Sequence, residues 1–162
     1  MQVRKFVSGG QTGADRAALD FAITNGYAHG GWCPRGRRAE DGVLDMRYQL
    51  TETQSKAYRQ RTKRNVLESD ATLIFNLGRL AGGSLRTMEI AKRNGKPVLV
   101  VSLDDGLGSG QINTVTSWLR HHSVCILNVA GPRESKRPGI YRGVLVALAS
   151  LHRAFAETDD AR

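Results

Sequence analysis

A glycine-rich segment between an apolar run and a helical pattern can bind an anion, because its backbone N–H groups are able to face a ligand. The sequence of 162 residues contains three such segments. One loop of this kind is weak support for a binding site, whereas three in a short chain predict a single anion-binding edge. The segments are Ser8-Gly9-Gly10-Gln11-Thr12-Gly13-Ala14-Asp15, Ala81-Gly82-Gly83-Ser84 followed by Thr87, and Gly131-Pro132-Arg133-Glu134-Ser135.

The first loop combines glycines with hydroxyl groups and one carboxyl group. Its glycines permit tight turning and a close approach of the backbone to a ligand. Ser8 or Thr12 is placed to cap the following helix or to bind an oxygen anion, and Asp15 lies in the first helical turn. The alternative is a plain strand-to-helix turn in which Asp15 only complements the helix dipole.

The second and third loops offer further groups for a phosphate. In the second loop the two glycines permit close approach, and Ser84 and Thr87 add hydroxyls near a helix start. The alternative there is an ordinary helix cap. In the third loop the planar guanidinium of Arg133 is suited to clamp a phosphate, and Ser135 is placed to cap the next helix. The alternative is a turn with a surface arginine.

The charge balance supports an anionic ligand. The formal net charge is +9, with a pI near 10.2, which favours phosphorylated ligands or polyanions. Aromatic residues make up only 6%, and no helix-turn-helix pattern is visible, which argues against a dedicated nucleic-acid binder. The sequence contains no recognisable Ser-His-Asp set and no metal-ligand spacing of cysteine or histidine. We therefore expect an anionic small-molecule ligand and neither a catalytic nucleophile nor a metal site.

Apolar runs alternate with helical patterns, which predicts an α/β fold: a three-layer sandwich with a mostly parallel central sheet. Ligands of such sheets bind beyond the carboxyl ends of the strands, where all three loops fall. The run 98–101 has no polar alternation and predicts a central strand covered on both faces. Residues 40–53 are predicted as a long extended loop, functional or mobile.

The ends of the chain complete the predicted organisation. We predict one domain over residues 1–156 and a flexible tail over residues 157–162. The N-terminus enters a strand without the long apolar region of a signal peptide, and no stretch reaches the length of a membrane span. A cytoplasmic protein that does not contact membranes is expected.

Motifs along nearly the whole chain resemble those of the molybdenum cofactor carrier proteins. Taken together they are specific, although each one alone is not. They are Ser8-Gly9-Gly10-Gln11-Thr12-Gly13-Ala14-Asp15-Arg16-Ala17-Ala18-Leu19-Asp20, Gly31-Trp32-Cys33-Pro34-Arg35-Gly36-Arg37-Arg38-Ala39-Glu40-Asp41-Gly42, Arg61-Thr62 with Asn65-Val66, Ser69-Asp70, Gly82-Gly83-Ser84 with Thr87, and Asn128-Val129-Ala130-Gly131-Pro132-Arg133-Glu134-Ser135.

The resemblance implies a Rossmann-like fold within the wider superfamily of lysine-decarboxylase-like phosphoribohydrolases, the SLOG superfamily. It implies a homo-oligomer, expected to be a tetramer, that binds the molybdenum cofactor, protects it and transfers it to molybdoenzymes without catalysis. In that hypothesis the backbone of the three loops holds the anionic ends of this phosphorylated pterin, together with Ser84, Thr87 and Arg133. Arg35 and Arg38 add positive charge, and Trp32 covers the pterin.

Two alternatives from the same superfamily stay open. The first is a nucleoside-monophosphate phosphoribohydrolase with Glu89 as its acid/base. The hydrolysing relatives carry a Pro-Gly-Gly-x-Gly-Thr-x-x-Glu loop, and Ala81-Gly82-Gly83-Ser84-Leu85-Arg86-Thr87-Met88-Glu89 departs from it. The second alternative is a sensor of a nucleotide derivative without catalysis.

Overall fold

The computed structural model describes residues 3–160. Its strands, in chain order, are β1 (Lys5–Val7), β2 (Ala28–Gly30), β3 (Trp32–Cys33), β4 (Arg38–Ala39), β5 (Gly42–Val43), β6 (Thr51–Glu52), β7 (Ala71–Asn76), β8 (Val98–Ser102) and β9 (Ile126–Ala130). Five of them form the central sheet in the order β2-β1-β9-β7-β8. Every neighbouring pair in this sheet is parallel, which confirms the predicted sheet.

Five helices flank the sheet in the described part of the chain. They are α1 (Ala14–Thr24), α2 (Tyr58–Leu67), α3 (Gly82–Arg93), α4 (Ser109–His121) and α5 (Ile140–Asp160). Helix α5 packs against α1 and α4, whereas α2 packs against α3. The predicted α/β, Rossmann-like fold is therefore confirmed. Within residues 3–160, no helix combines the length and apolar character needed to cross a membrane.

The main hydrophobic core lies between the sheet and the α1, α4 and α5 group. Its side chains alternate along the strands, as in β7, where Leu73 and Phe75 both belong to this core. The last helix continues to Asp160, which lies within the predicted tail at 157–162. Residues 161–162 of the predicted tail lie outside the described residues.

Two sequence predictions about the architecture are wrong. Strand β8 was predicted as central, but it forms the edge of the sheet, and Val100 is 36% exposed. Of the run 98–101 only Val101 is buried, so the predicted cover on both faces is also absent. An apolar run alone therefore does not show that a strand is central. The predicted loop at 40–53 contains β5 and β6, and its residues Leu44 and Tyr48 pack in a second small core with Leu19 and Cys33. It is a packed segment because these side chains bury its inner surface.

Candidate functional site

The three glycine loops meet at the carboxyl edge of the sheet. Strands β1, β9 and β7 are adjacent and parallel, so the loops that follow them lie side by side. A cavity of about 380 Å³ lies between these loops and α2, within the ~300–1,000 Å³ typical of small-molecule sites. The predicted site residues that line it are Gly9, Gln11, Asp15, Gly82, Gly83, Ser84, Thr87, Gly131 and Arg133.

We call Gln11, Asp15 and Arg61 the floor of the cavity. Two of these residues, Asp15 and Arg61, form a buried ion pair. Atom Nη1 of Arg61 lies 3.2 Å from Oδ2 of Asp15, and the two side chains are only 10% and 8% exposed. The backbone N–H of Gln11 donates to the same carboxylate oxygen at 3.4 Å. Burial raises the pKa of the Asp15 carboxyl above its ordinary value, and Arg61 opposes that shift. Each charged side chain therefore offsets the desolvation cost of the other, and removing one would leave the other charge buried without compensation.

Gly9 makes room for the guanidinium of Arg61. A Cβ atom built on Gly9 would lie 1.6 Å from Nη1 of Arg61 and 2.4 Å from its Cζ. A larger residue at this position would push the guanidinium away from Asp15. The glycine thus permits the close approach of a protein side chain, whereas the sequence predicted the approach of a ligand.

Two donors of the floor have no hydrogen-bond partner within residues 3–160: Nε of Arg61 and Nε2 of Gln11. The Oε1 atom of Gln11 accepts from the backbone N–H groups of Thr12 at 3.0 Å and Glu40 at 2.8 Å, which orients the amide. A buried donor without an acceptor costs about 1–3 kcal/mol. Such groups need an explanation in a native structure, and a ligand that supplies the acceptor is one.

Positively charged side chains surround the opening of the cavity. Arg133 lies over the ring of Tyr58, with its Cζ 5.3 Å from the ring centroid. Among the described lining residues, Asp15 is the sole carboxylate. We define the mouth as the exposed cations whose side chains have no ion pair or hydrogen bond to the described residues: Arg59, Arg79, Arg86 and Lys136. The excess of these cations over the single carboxylate of Asp15 favours an anionic ligand.

The first turn of α3 faces the same cavity. Its N-cap is Ala81, and no side chain of the described residues caps it. Gly82 has a φ of 55°, in the left-handed region that favours glycine. Ser84 is buried in the cavity wall, and Oγ1 of Thr87 donates to the Gly83 carbonyl at 2.8 Å. The uncapped N–H groups and the helix dipole both attract a negative charge.

Glu40 joins the first loop to the third. Its carboxylate accepts from the hydroxyl of Thr12 and, at 2.5 Å, from that of Ser135, and it lies 3.8 Å from Nη1 of Arg133. Burial acts to raise the pKa of Glu40, but the hydrogen bonds from Ser135 and Thr12 hold it below its ordinary value. Thr12 and Ser135 therefore brace the walls and do not line the cavity. Glu134, and not Ser135, accepts the N–H groups at the start of α5.

Ser8 and Gly10 also shape the first loop without lining the cavity. The Ser8 hydroxyl donates to the backbone carbonyl of Asp15 at 2.9 Å. It accepts the N–H of Gly10 at 3.3 Å. Ser8 is fully buried, so its role in this structure is to hold the turn.

The structure does not bring the basic segment around Trp32 to the cavity. The indole N–H of Trp32 donates to Glu68 at 2.7 Å, and Arg64 lies over its ring at 4.3 Å. Arg35 and Arg38 are exposed, and Arg38 belongs to the short β4–β5 hairpin. None of the three predicted residues, Trp32, Arg35 and Arg38, is part of the cavity lining.

The predicted site residues include none from α2, although Arg61-Thr62 with Asn65-Val66 is among the motifs of the resemblance. Tyr58, Arg61 and Asn65 all line the cavity. They follow each other at intervals of three and four, which places them on one face of a helix. That spacing was the available signal for all three residues.

The described part of the chain contains no group of three or more His, Cys, Asp or Glu side chains placed to hold a metal ion. Both cysteines are free thiols. Cys33 is buried, and burial raises the pKa of its thiol. Besides the Asp15 carboxylate, the lining offers cations, hydroxyls and backbone N–H groups.

Comparisons with known proteins agree with this architecture. Residues 6–152 match the model of the circularly permutated YpsA SLOG family. The chain is also similar to a protein of Syntrophus aciditrophicus SB whose 1.45 Å crystal structure carries the name "Putative molybdenum carrier protein". The two are 45% identical, the match covers 93% of this chain and 95% of the other, and the TM-score is 0.90. No curated protein is similar enough in sequence to match.

Proposed function

Because this chain belongs to the circularly permutated YpsA SLOG family, we propose that it is a carrier that binds the molybdenum cofactor and passes it to molybdoenzymes without catalysis. One observation supports this proposal above the others. A single cavity combines three glycine loops with a mouth of unpaired cations, among the described residues. The similarity to the protein named as a molybdenum carrier supports the choice of cargo.

The residues of the cavity fit a phosphorylated pterin. The first turn of α3 and the mouth supply N–H groups and positive charge for the phosphate. The floor supplies the two unpartnered donors for polar atoms of a ring. No protein side chain is assigned to the metal. We propose that the carrier works as one domain over residues 1–156, in the cytoplasm, and as a homo-oligomer that is expected to be a tetramer.

The phosphoribohydrolase alternative receives little support from the position of Glu89. Its side chain is exposed on α3 and is not part of the described cavity lining. Asp15 does line the cavity, but its carboxylate is held by Arg61 and by the N–H of Gln11. An acid/base group must reach the bond that breaks. We therefore favour a carrier over a hydrolase.

The carrier proposal predicts that the purified protein prolongs the activity of the free molybdenum cofactor. Cofactor is mixed with the protein, aged, and then transferred to a cofactor-free molybdoenzyme whose recovered activity is measured. We expect cofactor activity to be lost more slowly with the protein than with albumin. This protection should be smaller at high salt, because screening weakens the attraction between the cations of the mouth and the anionic cofactor. Equal rates of loss would contradict the proposal.

A thermal-shift panel of pterins and nucleotides separates the carrier from a nucleotide sensor. A ligand that binds only the folded state raises the melting temperature. The carrier proposal predicts the larger shift with phosphorylated pterins. A larger shift with nucleotides would favour the sensor.

Gly83→Ala tests the cavity wall without disturbing the fold. A Cβ on Gly83 meets no atom within 4 Å, and Gly83 lines the cavity. We expect the variant to be as stable as the wild type or more stable by about 0.5 kcal/mol, because alanine favours helix. Its affinity for inorganic phosphate, measured by titration calorimetry, is expected to fall, since the methyl group occupies space beside the first turn of α3.

The matched control is Gly110→Ala. Gly110 is also the second residue of a helix with open space around its Cβ position, but it does not line the cavity. It should gain similar stability and keep wild-type phosphate affinity. Equal phosphate binding by both variants would remove the first turn of α3 from the site.

A further inference from the structure

We infer that Gln11 and Arg61 form an acceptor-binding floor that takes the neutral carbonyl or ring-nitrogen edge of a heterocycle, so that a phosphorylated heterocycle binds ring first with its phosphate at the mouth. The inference deepens the proposed function and rests on it for the choice of a pterin. It assigns the two ends of the ligand to opposite parts of one cavity.

The unpartnered donors point to the ligand. Nε of Arg61 and Nε2 of Gln11 are buried and lack acceptors among the described residues. Both residues line the cavity, and they are 8% and 5% exposed. An occupant with acceptor atoms would therefore complete the hydrogen bonding that this part of the protein leaves unmade.

The charge of the floor favours a neutral acceptor over an anion. Asp15 lies 3.2 Å from Nη1 of Arg61 and compensates the positive charge of the guanidinium. Gln11 adds a donor without charge. A second anion beside Asp15 would meet a like charge at close range, whereas a carbonyl oxygen or a ring nitrogen accepts from both donors without that repulsion.

Unlike the floor, the mouth is positively charged and exposed. Its cations are exposed and have no partner within the described residues. A phosphate at the mouth keeps part of its hydration and gains the attraction of several arginines. The difference between a neutral buried floor and a cationic exposed mouth is what orients the ligand.

Asp15 and Gly9 act as positioning residues for Arg61. The carboxylate holds Nη1, and the missing Cβ of Gly9 leaves the space in which the guanidinium lies. This arrangement fixes one end of the guanidinium and leaves the Nε donor for the occupant.

The test uses three probes: neopterin, neopterin monophosphate and ribose 5-phosphate. Their affinities for the full chain are measured by titration calorimetry at several salt concentrations. Gln11→Glu keeps the acceptor oxygen of Gln11 and replaces the unpartnered donor with oxygen. Arg61→Lys keeps the charge beside Asp15 and removes Nε. Arg79→Ala removes a cation of the mouth, and Arg64→Lys on the same helix is the control outside the cavity lining.

We expect Gln11→Glu and Arg61→Lys each to lower the affinity for neopterin and for its monophosphate by about tenfold, with ribose 5-phosphate unaffected. Arg79→Ala should weaken only the two phosphorylated probes and reduce their salt dependence. Arg64→Lys should bind all three as the wild type does. Gln11→Glu adds a carboxyl group near Asp15, and Arg61→Lys replaces the guanidinium with a smaller ammonium group. Melting temperatures therefore identify a variant that misfolds, and the other variant then tests the floor assignment.

The outcomes separate this inference from the carrier proposal. If the wild type transfers the molybdenum cofactor but the floor variants bind neopterin normally, the floor assignment is wrong and the carrier stands. If the floor variants lose neopterin as expected but the wild type does not prolong cofactor activity, the carrier proposal fails and the floor stands. Equal losses for ribose 5-phosphate and neopterin, or no pterin binding by the wild type, overturn the inference.

Discussion

Replacing Arg61 with methionine is expected to destabilise the folded protein by about 3–5 kcal/mol. The substitution leaves the buried carboxylate of Asp15 without the cation that lies 3.2 Å away. Methionine fills much of the arginine volume, so the loss comes mainly from the uncompensated charge. Urea denaturation at neutral pH measures the free energy of unfolding.

The pH dependence of this loss follows from the direction of the Asp15 pKa shift. Burial raises the pKa of Asp15 in the folded protein, and Arg61 opposes the shift. Without Arg61 the pKa rises further, so the folded state binds a proton at a pH where the unfolded state does not. The destabilisation should therefore be largest at neutral pH and above, and it should shrink as the pH falls toward the ordinary range of a carboxyl group.

Two controls test the cause of the Arg61→Met effect. Adding Asp15→Asn should recover part of the loss, with a coupling energy of about 1–3 kcal/mol. Arg64→Met removes a half-exposed pair with Glu68 on the same helix and should cost at most about 1 kcal/mol. A double variant no more stable than Arg61→Met alone would mean that the charge of Asp15 is not the source of the effect.

Gly131→Ala is expected to cost about 3 kcal/mol, near the upper end for an overpacked core. A Cβ on Gly131 would lie 2.4 Å from the carbonyl oxygen of Phe75 and 2.6 Å from Cβ of Ala14. These atoms belong to the end of β7 and the start of α1, which cannot move as a flexible side chain does. The third loop must therefore shift, and it carries Arg133 with it.

Gly110→Ala again serves as the comparison, because its Cβ position is open. The midpoint of urea unfolding should fall for Gly131→Ala and stay level or rise for Gly110→Ala. An unchanged midpoint for Gly131→Ala would show that the three loops are less tightly joined than these distances indicate.

Several features of the fold followed from local sequence patterns. Alternating apolar runs and helical patterns predicted the parallel sheet, because a strand–helix–strand unit places successive strands side by side in the same direction. The position of β8 at the edge was not predictable in this way. Strand order depends on which strands pair over long sequence distances. An apolar run such as 98–101 does not specify the strands with which it pairs.

For the candidate site, the sequence by itself determined the three glycine loops, their place at one edge of the sheet and the positive charge of the chain. Tertiary structure alone decided which residues share the cavity. Arg61 is 46 residues from Asp15 in the chain, and the fold pairs them over Gly9. Trp32, predicted to cover a ligand, instead contacts Glu68 and Arg64 outside the cavity lining. The physical reason is that glycine turns are set by local backbone conformation, whereas a buried charge finds its partner only when distant segments pack together.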